Sequence, residues 1–248
     1  MAAHIAILAY HRLTAASAGE SYAHLCVTPA LFQQHLLCLR KRMAPAPADD
    51  LAAAVAAEER GKFLITFDDG FAELAKHAEL FAPLAQGVAI FLVADFMGKA
   101  APWLAHDGYE PPRLLAWNEA RQLSDAGIVF GSHTLTHPRL SQLDRQEQRR
   151  QLRDSKVMIE DRLSKAIRLL AYPFGDYTPQ IADLAAEAGY SAALTMRRGS
   201  WHLPQHLHRL RRVPVHEGVR GWRFCYRLSW WYGAKYAISE CLRRERYK

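Results

Sequence analysis

The run Thr66-Phe67-Asp68-Asp69-Gly70 is the stretch on which the interpretation of this 248-residue chain rests. It closes an apolar stretch, residues 63–67, that is typical of a buried β-strand, and Gly70 allows a sharp turn into a following helix. Asp68 and Asp69 therefore stand side by side at the carboxyl end of a strand. Adjacent carboxylates repel each other, so the pair indicates a bound cation, although Asp-Asp-Gly is also ordinary turn chemistry.

Short apolar runs alternate with helical patterns along most of the chain. The runs predicted as strands cover residues 4–10, 63–67, 88–94, 128–131, 169–172, 191–195 and 210–215, and residues 71–85 are predicted as one helix. Thr28-Pro29 and Thr178-Pro179 predict two further helix starts, with threonine as the N-cap and proline at the first helical position. The loop of residues 95–116 is rich in proline and tryptophan and is a candidate wall of a functional site. Continuous apolar strands that alternate with helices indicate a parallel sheet covered on both faces. Because no glycine-rich phosphate loop is present, we predict an α/β fold, an incomplete or distorted (β/α) barrel, rather than a dinucleotide-binding sheet.

Two histidines in the run Ser132-His133-Thr134-Leu135-Thr136-His137-Pro138 are four residues apart. On a helical turn such a pair shares a face and closes on one metal, but Pro138 favours a strand-to-loop bend here. With twelve histidines in the chain, a pair at this spacing also arises by chance. Joined by an aspartate from another strand end, the pair would form a two-histidine, one-carboxylate set with open coordination positions, as in catalytic zinc or iron sites.

Taken together, these motifs resemble the polysaccharide deacetylase family (carbohydrate esterase family 4, the NodB-homology domain). The runs 66–70 and 132–138 resemble the first two motifs of the family. The run Ala171-Tyr172-Pro173-Phe174-Gly175-Asp176-Tyr177 resembles the third motif in a Tyr-Pro-Phe-Gly variant, and residues 7–11 resemble the opening strand. The resemblance extends from about residue 5 to residue 216.

The resemblance implies a role for each matching residue. Asp69, His133 and His137 would be the ligands of a divalent metal, expected to be Zn²⁺. Asp68 would be the general base, and the backbone N–H of Phe174 would be the oxyanion donor. The reaction would be the hydrolysis of an N-acetyl or O-acetyl group on a sugar.

One departure from the family pattern concerns the residue that orients the catalytic carboxylate. The third motif often begins with arginine, but this chain has Ala171. Arg212 could supply the missing guanidinium from a neighbouring strand, or it could be a surface residue of a basic segment.

The remaining site candidates come from the two ends of the resemblance. His216 is the candidate general acid, although His202, His206 and His208 lie close to it in sequence. We also predict that His11, at the end of the first strand, and Tyr177 contact the substrate.

The excess positive charge lies in the last forty residues, 209–248, which carry eleven lysines and arginines against three glutamates. We divide the chain into a deacetylase-like domain, 1–216, and a basic aromatic helical extension, 217–248, called the C-terminal segment below. Aromatic residues interleaved with arginines over residues 220–248 fit an interfacial helix on anionic lipid, or a helix that packs its aromatics on the barrel. Nucleic acid is not expected, because no binding motif appears.

We expect a cytoplasmic enzyme, with a peripheral position at the inner membrane face as a further hypothesis. The chain contains no apolar run of about eighteen residues, shows no features of an export signal, and has no CxxC pair. The predicted function is removal of an acetyl group, most simply N-acetyl, from a sugar of a polysaccharide or its lipid-linked precursor in exopolysaccharide or envelope glycan assembly. The alternatives are an amidase with a non-sugar substrate and a catalytically inactive carbohydrate-binding protein.

Overall fold

A computed structural model describes residues 2–16, 22–105 and 110–245 of the chain. In these ranges the strands are β1 (Ala3–Tyr10), β2 (Arg12–Leu13), β3 (Cys26–Val27), β4 (Ala44–Pro45), β5 (Arg60–Phe67), β6 (Val88–Leu92), β7 (Val129–Ser132), β8 (Leu169–Ala171), β9 (Ala192–Arg198), β10 (Trp201–His202) and β11 (Leu210–Pro214). The helices are α1 (Pro29–Arg40), α2 (Leu51–Ala56), α3 (Glu73–Lys76), α4 (Ala78–Phe81), α5 (Trp117–Asp125), α6 (Arg145–Leu163), α7 (Pro179–Glu187), α8 (Trp222–Leu228) and α9 (Trp230–Glu245).

Seven strands of the described ranges form a closed ring in the order β1, β5, β6, β7, β8, β9, β11. Every pairing around this ring is parallel. β1 closes it, because β1 pairs along most of its length with β5 and also with β11, where Leu8 lies opposite Val213. The prediction of a distorted (β/α) barrel of parallel strands is confirmed, with one strand fewer than the eight of a complete barrel.

The core has two layers because alternate residues of a strand point to opposite faces. Ile5 and Ile7 of β1 belong to a buried cluster that collects residues from strands around the ring, including Phe91. Leu8 of the same strand belongs to a second cluster, which includes Phe32 of α1 and residues of α6 and α7. The first cluster therefore fills the barrel interior, and the second joins the barrel to its outer helices.

Two predicted helix starts are confirmed by their caps. The hydroxyl oxygen of Thr28 accepts a hydrogen bond from the Leu31 N–H (3.3 Å), and Thr178 caps α7 in the same way. The prediction of one helix over residues 71–85 is wrong. Phe71 forms a β-bridge with Leu114, and only α3, α4 and a 3-10 turn follow. Pro83 lies in that turn and has no N–H to continue an α-helix.

Two helices, α8 and α9, form the described part of the C-terminal segment, where we expected one. Phe224, Leu228 and Tyr232 are buried against the barrel, whereas Trp222 and Trp231 are more than two-thirds exposed. Packing on the barrel and an exposed aromatic face therefore occur together. Over the described ranges, no helix has the length and apolar character required to span a bilayer.

Candidate active site and metal centre

A cavity of about 570 Å³ opens at the carboxyl ends of the barrel strands, and we call it the barrel mouth. Seven of the nine predicted site residues line it: His11, Asp68, Asp69, His133, His137, Phe174 and His216. The other two, Arg212 and Tyr177, do not line the cavity, but Arg212 contacts Asp68. Residues from the ends of β1, β5, β7, β8 and β11 thus converge as the barrel topology predicts.

Three of these side chains form a possible metal-binding set. The Oδ1 atom of Asp69 lies 3.1 Å from Nε2 of His137 and 3.6 Å from Nε2 of His133. One ligand atom from each residue falls within 4.8 Å of the other two, and all three residues are buried. The geometry is that of a two-histidine, one-carboxylate set with room for further ligands.

The protonation pattern of this set fits a cation. The Nδ1–H of His133 donates to the carbonyl of Ala171 (2.7 Å), so the Nε2 atom of a neutral ring presents a lone pair to Asp69. Burial lowers the pKa of His133 to about 4, so the ring is neutral near pH 7. The Oδ1 atom of Asp69 is buried and accepts no hydrogen bond from the described residues. The nitrogen lone pair of His133 and the carboxylate of Asp69 repel each other unless a cation lies between them. These residues therefore fit a divalent metal.

Asp68 is held by a different partner. Nη1 and Nη2 of Arg212 donate to its two carboxylate oxygens, each at 2.7 Å, and Arg212 has no exposed surface. Burial by itself would raise the pKa of Asp68, but the Arg212 guanidinium holds the pKa well below its usual range. Asp68 is therefore an oriented, ionised carboxylate, and Arg212 is an interior residue of the barrel rather than a surface residue.

Two further histidines border Asp68 and the opening of the cavity. Nε2 of His11 lies 3.8 Å from the Oδ2 atom of Asp68. Nδ1 of His216 accepts a hydrogen bond from the Gly218 N–H (3.2 Å), and burial, with Arg227 nearby, lowers its pKa. The neighbouring candidates His202, His206 and His208 do not line the mouth.

Backbone strain marks the same region. Asp69, Thr134, His137 and Phe174 all have φ between 57° and 68°, a left-handed conformation that costs a non-glycine residue about 1–2 kcal/mol. The loop after β7 is supported from α6, where the buried Gln151 side-chain oxygen accepts from the backbone N–H groups of residues 135 and 136. The surrounding fold therefore maintains a conformation that the local sequence does not favour.

The turn after β8 brings its backbone to the mouth. Gly175 has φ of 67°, and a Cβ atom there would lie 2.6 Å from the backbone nitrogen of Met196, so the position requires glycine. The preceding N–H, of Phe174, donates no hydrogen bond to a described residue. The Phe174 ring packs edge-on against His137 with centroids 4.7 Å apart.

Several residues of the mouth were not predicted. Trp103 stacks on His137 with ring centroids 4.2 Å apart, and the Arg139 guanidinium lies 4.3 Å from the centre of the Phe174 ring. Tyr22 and His24 also line the cavity. The loop of residues 95–116 was predicted as a wall of the site because it is rich in proline and tryptophan, and this composition was the available signal for Trp103.

Tyr177 makes its contacts outside the mouth. Its hydroxyl accepts a hydrogen bond from Nη1 of Arg197 (2.9 Å), and its ring stacks on Tyr172. A substrate contact by Tyr177 stays a prediction.

Comparison with known proteins gives a consistent result. The family model described as polysaccharide deacetylase matches residues 56–193. The chain is 26% identical to YxkH of Bacillus subtilis (strain 168) over 227 residues, which are 90% of this chain and 75% of YxkH.

Solved structures share the fold. The Streptococcus pyogenes deacetylase PplD, determined in complex with acetate, has a TM-score of 0.79 and 20% identity over 92% of this chain and all of PplD. IcaB from Ammonifex degensii has a TM-score of 0.72 and 20% identity over 92% of this chain and 98% of IcaB. The family match covers more than half of the chain, and both motifs of the barrel mouth, Asp68-Asp69 and His133 to His137, lie inside it. The chain belongs to the polysaccharide deacetylase family.

Proposed function

We propose that this protein is a metal-dependent hydrolase that removes N-acetyl groups from a sugar of a polysaccharide or of its lipid-linked precursor. The observation that carries the proposal is the pairing of two carboxylates with different partners. Asp69 faces two imidazole nitrogens in a set that fits Zn²⁺, while the adjacent Asp68 is ionised, oriented and not part of that set. A metal-dependent hydrolase of an unreactive amide uses both a Lewis acid and a base beside it.

The proposed roles of the other residues follow from their positions. A divalent cation held by Asp69, His133 and His137 would polarise the acetyl carbonyl and make water more acidic. Asp68 accepts the proton of the attacking water, and Arg212 keeps its carboxylate in one orientation. The Phe174 N–H, which has no hydrogen-bond partner among the described residues, donates to the oxygen that becomes negative. His216 borders the cavity and, in its protonated form, gives a proton to the departing amine, so that acetate and a free amino sugar leave.

A saccharide fits the surfaces that surround these groups. The Phe174 ring is half-exposed at the mouth, and both this ring and the Trp103 ring pack against His137. Flat aromatic rings provide the apolar contact that sugar faces use, while the polar groups between them orient the ligand. The family assignment supports a polysaccharide substrate, and we extend the proposal to a place in exopolysaccharide or envelope glycan assembly.

Acetate release and metal content together test this function. We expect the purified protein to release acetate from an N-acetylated chito-oligomer and to bind one Zn²⁺, and the His133→Ala variant to lose both. An O-acetylated sugar and a non-sugar N-acetyl amide serve as parallel substrates. Acetate from the non-sugar amide alone would identify an amidase instead. Saccharide binding without acetate release, with zinc present, would identify an inactive carbohydrate-binding protein.

The exposed face of the C-terminal segment supports a second element of the proposal, peripheral contact with an anionic membrane. Trp222, Trp230 and Trp231 are each at least half exposed, and the Arg223 guanidinium lies 5.7 Å from the centre of the Trp222 ring. Exposed tryptophans beside arginines suit the boundary between lipid headgroups and acyl chains. Such contact would place the enzyme at the inner membrane face, next to a lipid-linked substrate.

Vesicle sedimentation tests the membrane contact separately from catalysis. We expect the protein to sediment with vesicles that contain phosphatidylserine and to remain in the supernatant with phosphatidylcholine vesicles. Binding that is equal for both vesicles, or absent at moderate salt, would remove the membrane from the proposal and leave the deacetylase intact.

A further inference from the structure

Two cysteines far apart in sequence meet where the C-terminal segment joins the barrel. Cys38 lies in the last turns of α1 and Cys225 lies in α8, and their Sγ atoms are 3.0 Å apart. Both residues are half-buried and carry free thiols. A disulfide bond is about 2.05 Å long, so a shift of about 1 Å would bring the sulfur atoms to bonding distance.

Buried contacts next to the two cysteines hold α1 and α8 together at this distance. The His35 ring, one turn before Cys38, stacks on Phe224 with centroids 3.9 Å apart. Nε2–H of His35 donates to the carbonyl of Val219 (2.7 Å), and its Nδ1 accepts from the Tyr10 hydroxyl (3.0 Å). The two helices are therefore held together by contacts that do not involve sulfur, so the thiols are in position before any bond forms between them.

We propose that Cys38 and Cys225 are a site of covalent modification, at which a low-molecular-weight disulfide oxidises the two thiols to an intramolecular disulfide. One cysteine thiolate attacks the reagent disulfide, forms a mixed disulfide and releases one reagent thiol. The second cysteine attacks this mixed disulfide and releases the other reagent thiol. The two cysteines lose two electrons and two protons, and the reagent gains them as two thiols. The inference does not depend on the proposed deacetylase reaction.

The bond would join α1 to the part of the chain that borders the barrel mouth. Residues 215–221 connect β11 to α8 and include His216, which lines the cavity. The backbone N–H of Thr28, at the start of α1, already donates to the Glu217 side chain (3.0 Å). A covalent link between α1 and α8 would hold this connection at a further point and limit its separation from the barrel.

Oxidised glutathione is the probe for the test. Burial, with the nearby Cys225 thiol, raises the pKa of Cys38 to about 11, so the reaction is run at mildly alkaline pH to increase the thiolate fraction. We expect the intact mass to fall by about 2 Da, with no retained glutathione. After tryptic digestion, the peptide of residues 13–40 should be joined to the peptide of residues 224–227.

Variants assign the bond and measure its effect. Residues 13–40 also contain Cys26, so the digestion is repeated with Cys26→Ala, which should retain the link. Cys241→Ser, the matched control, should also retain it, and both Cys225→Ser and Cys38→Ser should lose it. We expect the oxidised form to have a Tm higher than the reduced form by about 5 °C or more. A stable glutathione adduct without a link, a link to Cys241, or equal Tm values in the two forms would overturn the proposal.

Discussion

The barrel mouth and the C-terminal segment use the same types of side chain in opposite surroundings. At the mouth, Arg212 is completely buried and neutralises Asp68, and the tryptophan ring of residue 103 is stacked on an imidazole. On α8, Trp222 is 74% exposed and has Arg223 beside it, and on α9, Trp231 is 70% exposed. Composition alone therefore does not separate a catalytic centre from an interaction surface. The two regions differ in whether residues from distant parts of the chain supply contacts for the charged and aromatic side chains.

Backbone conformation separates the two regions as clearly. Among the described residues, three of the six non-glycine residues with positive φ line the mouth, namely Asp69, His137 and Phe174, and a fourth, Thr134, lies in the loop between His133 and His137. In the described part of the C-terminal segment, the positive φ value belongs to a glycine, Gly221. At the mouth, the surrounding barrel holds residues in strained backbone conformations that position the functional side chains. The exposed surface of the C-terminal segment does not require such conformations.

The largest expected effect distinguishes the two carboxylates of the mouth. We expect Asp68→Asn to reduce kcat by about 10³-fold while zinc remains bound, because the base is lost and the ligand set is intact. Asp69→Asn should lose zinc and activity together. Acetate release and metal analysis of the two variants provide the measurement, and Asp154→Asn, at a partly exposed aspartate on α6, is the matched control. Loss of zinc in Asp68→Asn would show that the two carboxylates do not have separate roles.

The next effect concerns the partner of Asp68. We expect Arg212→Met to reduce the free energy of unfolding by about 3–5 kcal/mol, because it leaves a buried carboxylate without its counter-charge. Urea denaturation measures the change. Arg211→Met is the matched control on the same strand; Arg211 is partly exposed, and its replacement should cost about 1 kcal/mol or less. Equal losses in the two variants would show that the buried ion pair is not the stabilising element.

The sequence predicted the positions that depend on local chemistry and on strand order. Strand ends, the Thr28 and Thr178 caps and the two motifs of the mouth lie where expected, because parallel strands bring their carboxyl ends to one face. The partner of Asp68 stayed open between two alternatives, since Arg212 is 144 residues away and its burial depends on the complete barrel.

Contacts between loops could not be predicted from the sequence either, because they too depend on the complete fold. The stacking of Trp103 on His137 and of Arg139 on Phe174 depends on loop paths that no local pattern specifies. The helix predicted over residues 71–85 failed because a bridge to Leu114, more than forty residues on, overrides the local helical pattern.

A third effect concerns His35 of α1, which stacks on Phe224 where the C-terminal segment packs on the barrel. Burial lowers the pKa of His35 to about 4, against about 6.5 in an unfolded chain. Between pH 4 and pH 6.5, the His35 side chain is therefore protonated in the unfolded state and neutral in the folded state. Stability is fully present above pH 6.5 and falls as the pH is lowered to 4, by about 3 kcal/mol in total from this group. Denaturation at several pH values should show a shallower loss for His35→Gln than for the wild type, and parallel losses would contradict the assignment.

The smallest expected effect on stability tests the exposed face of the C-terminal segment. Trp222 and Trp231 make little buried contact, so we expect the double variant Trp222→Ala, Trp231→Ala to change the free energy of unfolding by about 0.5 kcal/mol or less. The same variant should release acetate from a soluble oligomer at the wild-type rate and lose most of its binding to phosphatidylserine vesicles, because aromatic insertion is removed while the arginines remain.

Val157→Ala, at an exposed apolar residue on α6, is the control for a general loss of surface hydrophobicity and should leave vesicle binding unchanged. A loss of stability above about 2 kcal/mol in the tryptophan variant would mean that these rings pack on the protein as those at the mouth do. The contrast between the two regions would then disappear. Unchanged stability together with unchanged vesicle binding would preserve the contrast and assign the exposed face to a partner other than lipid.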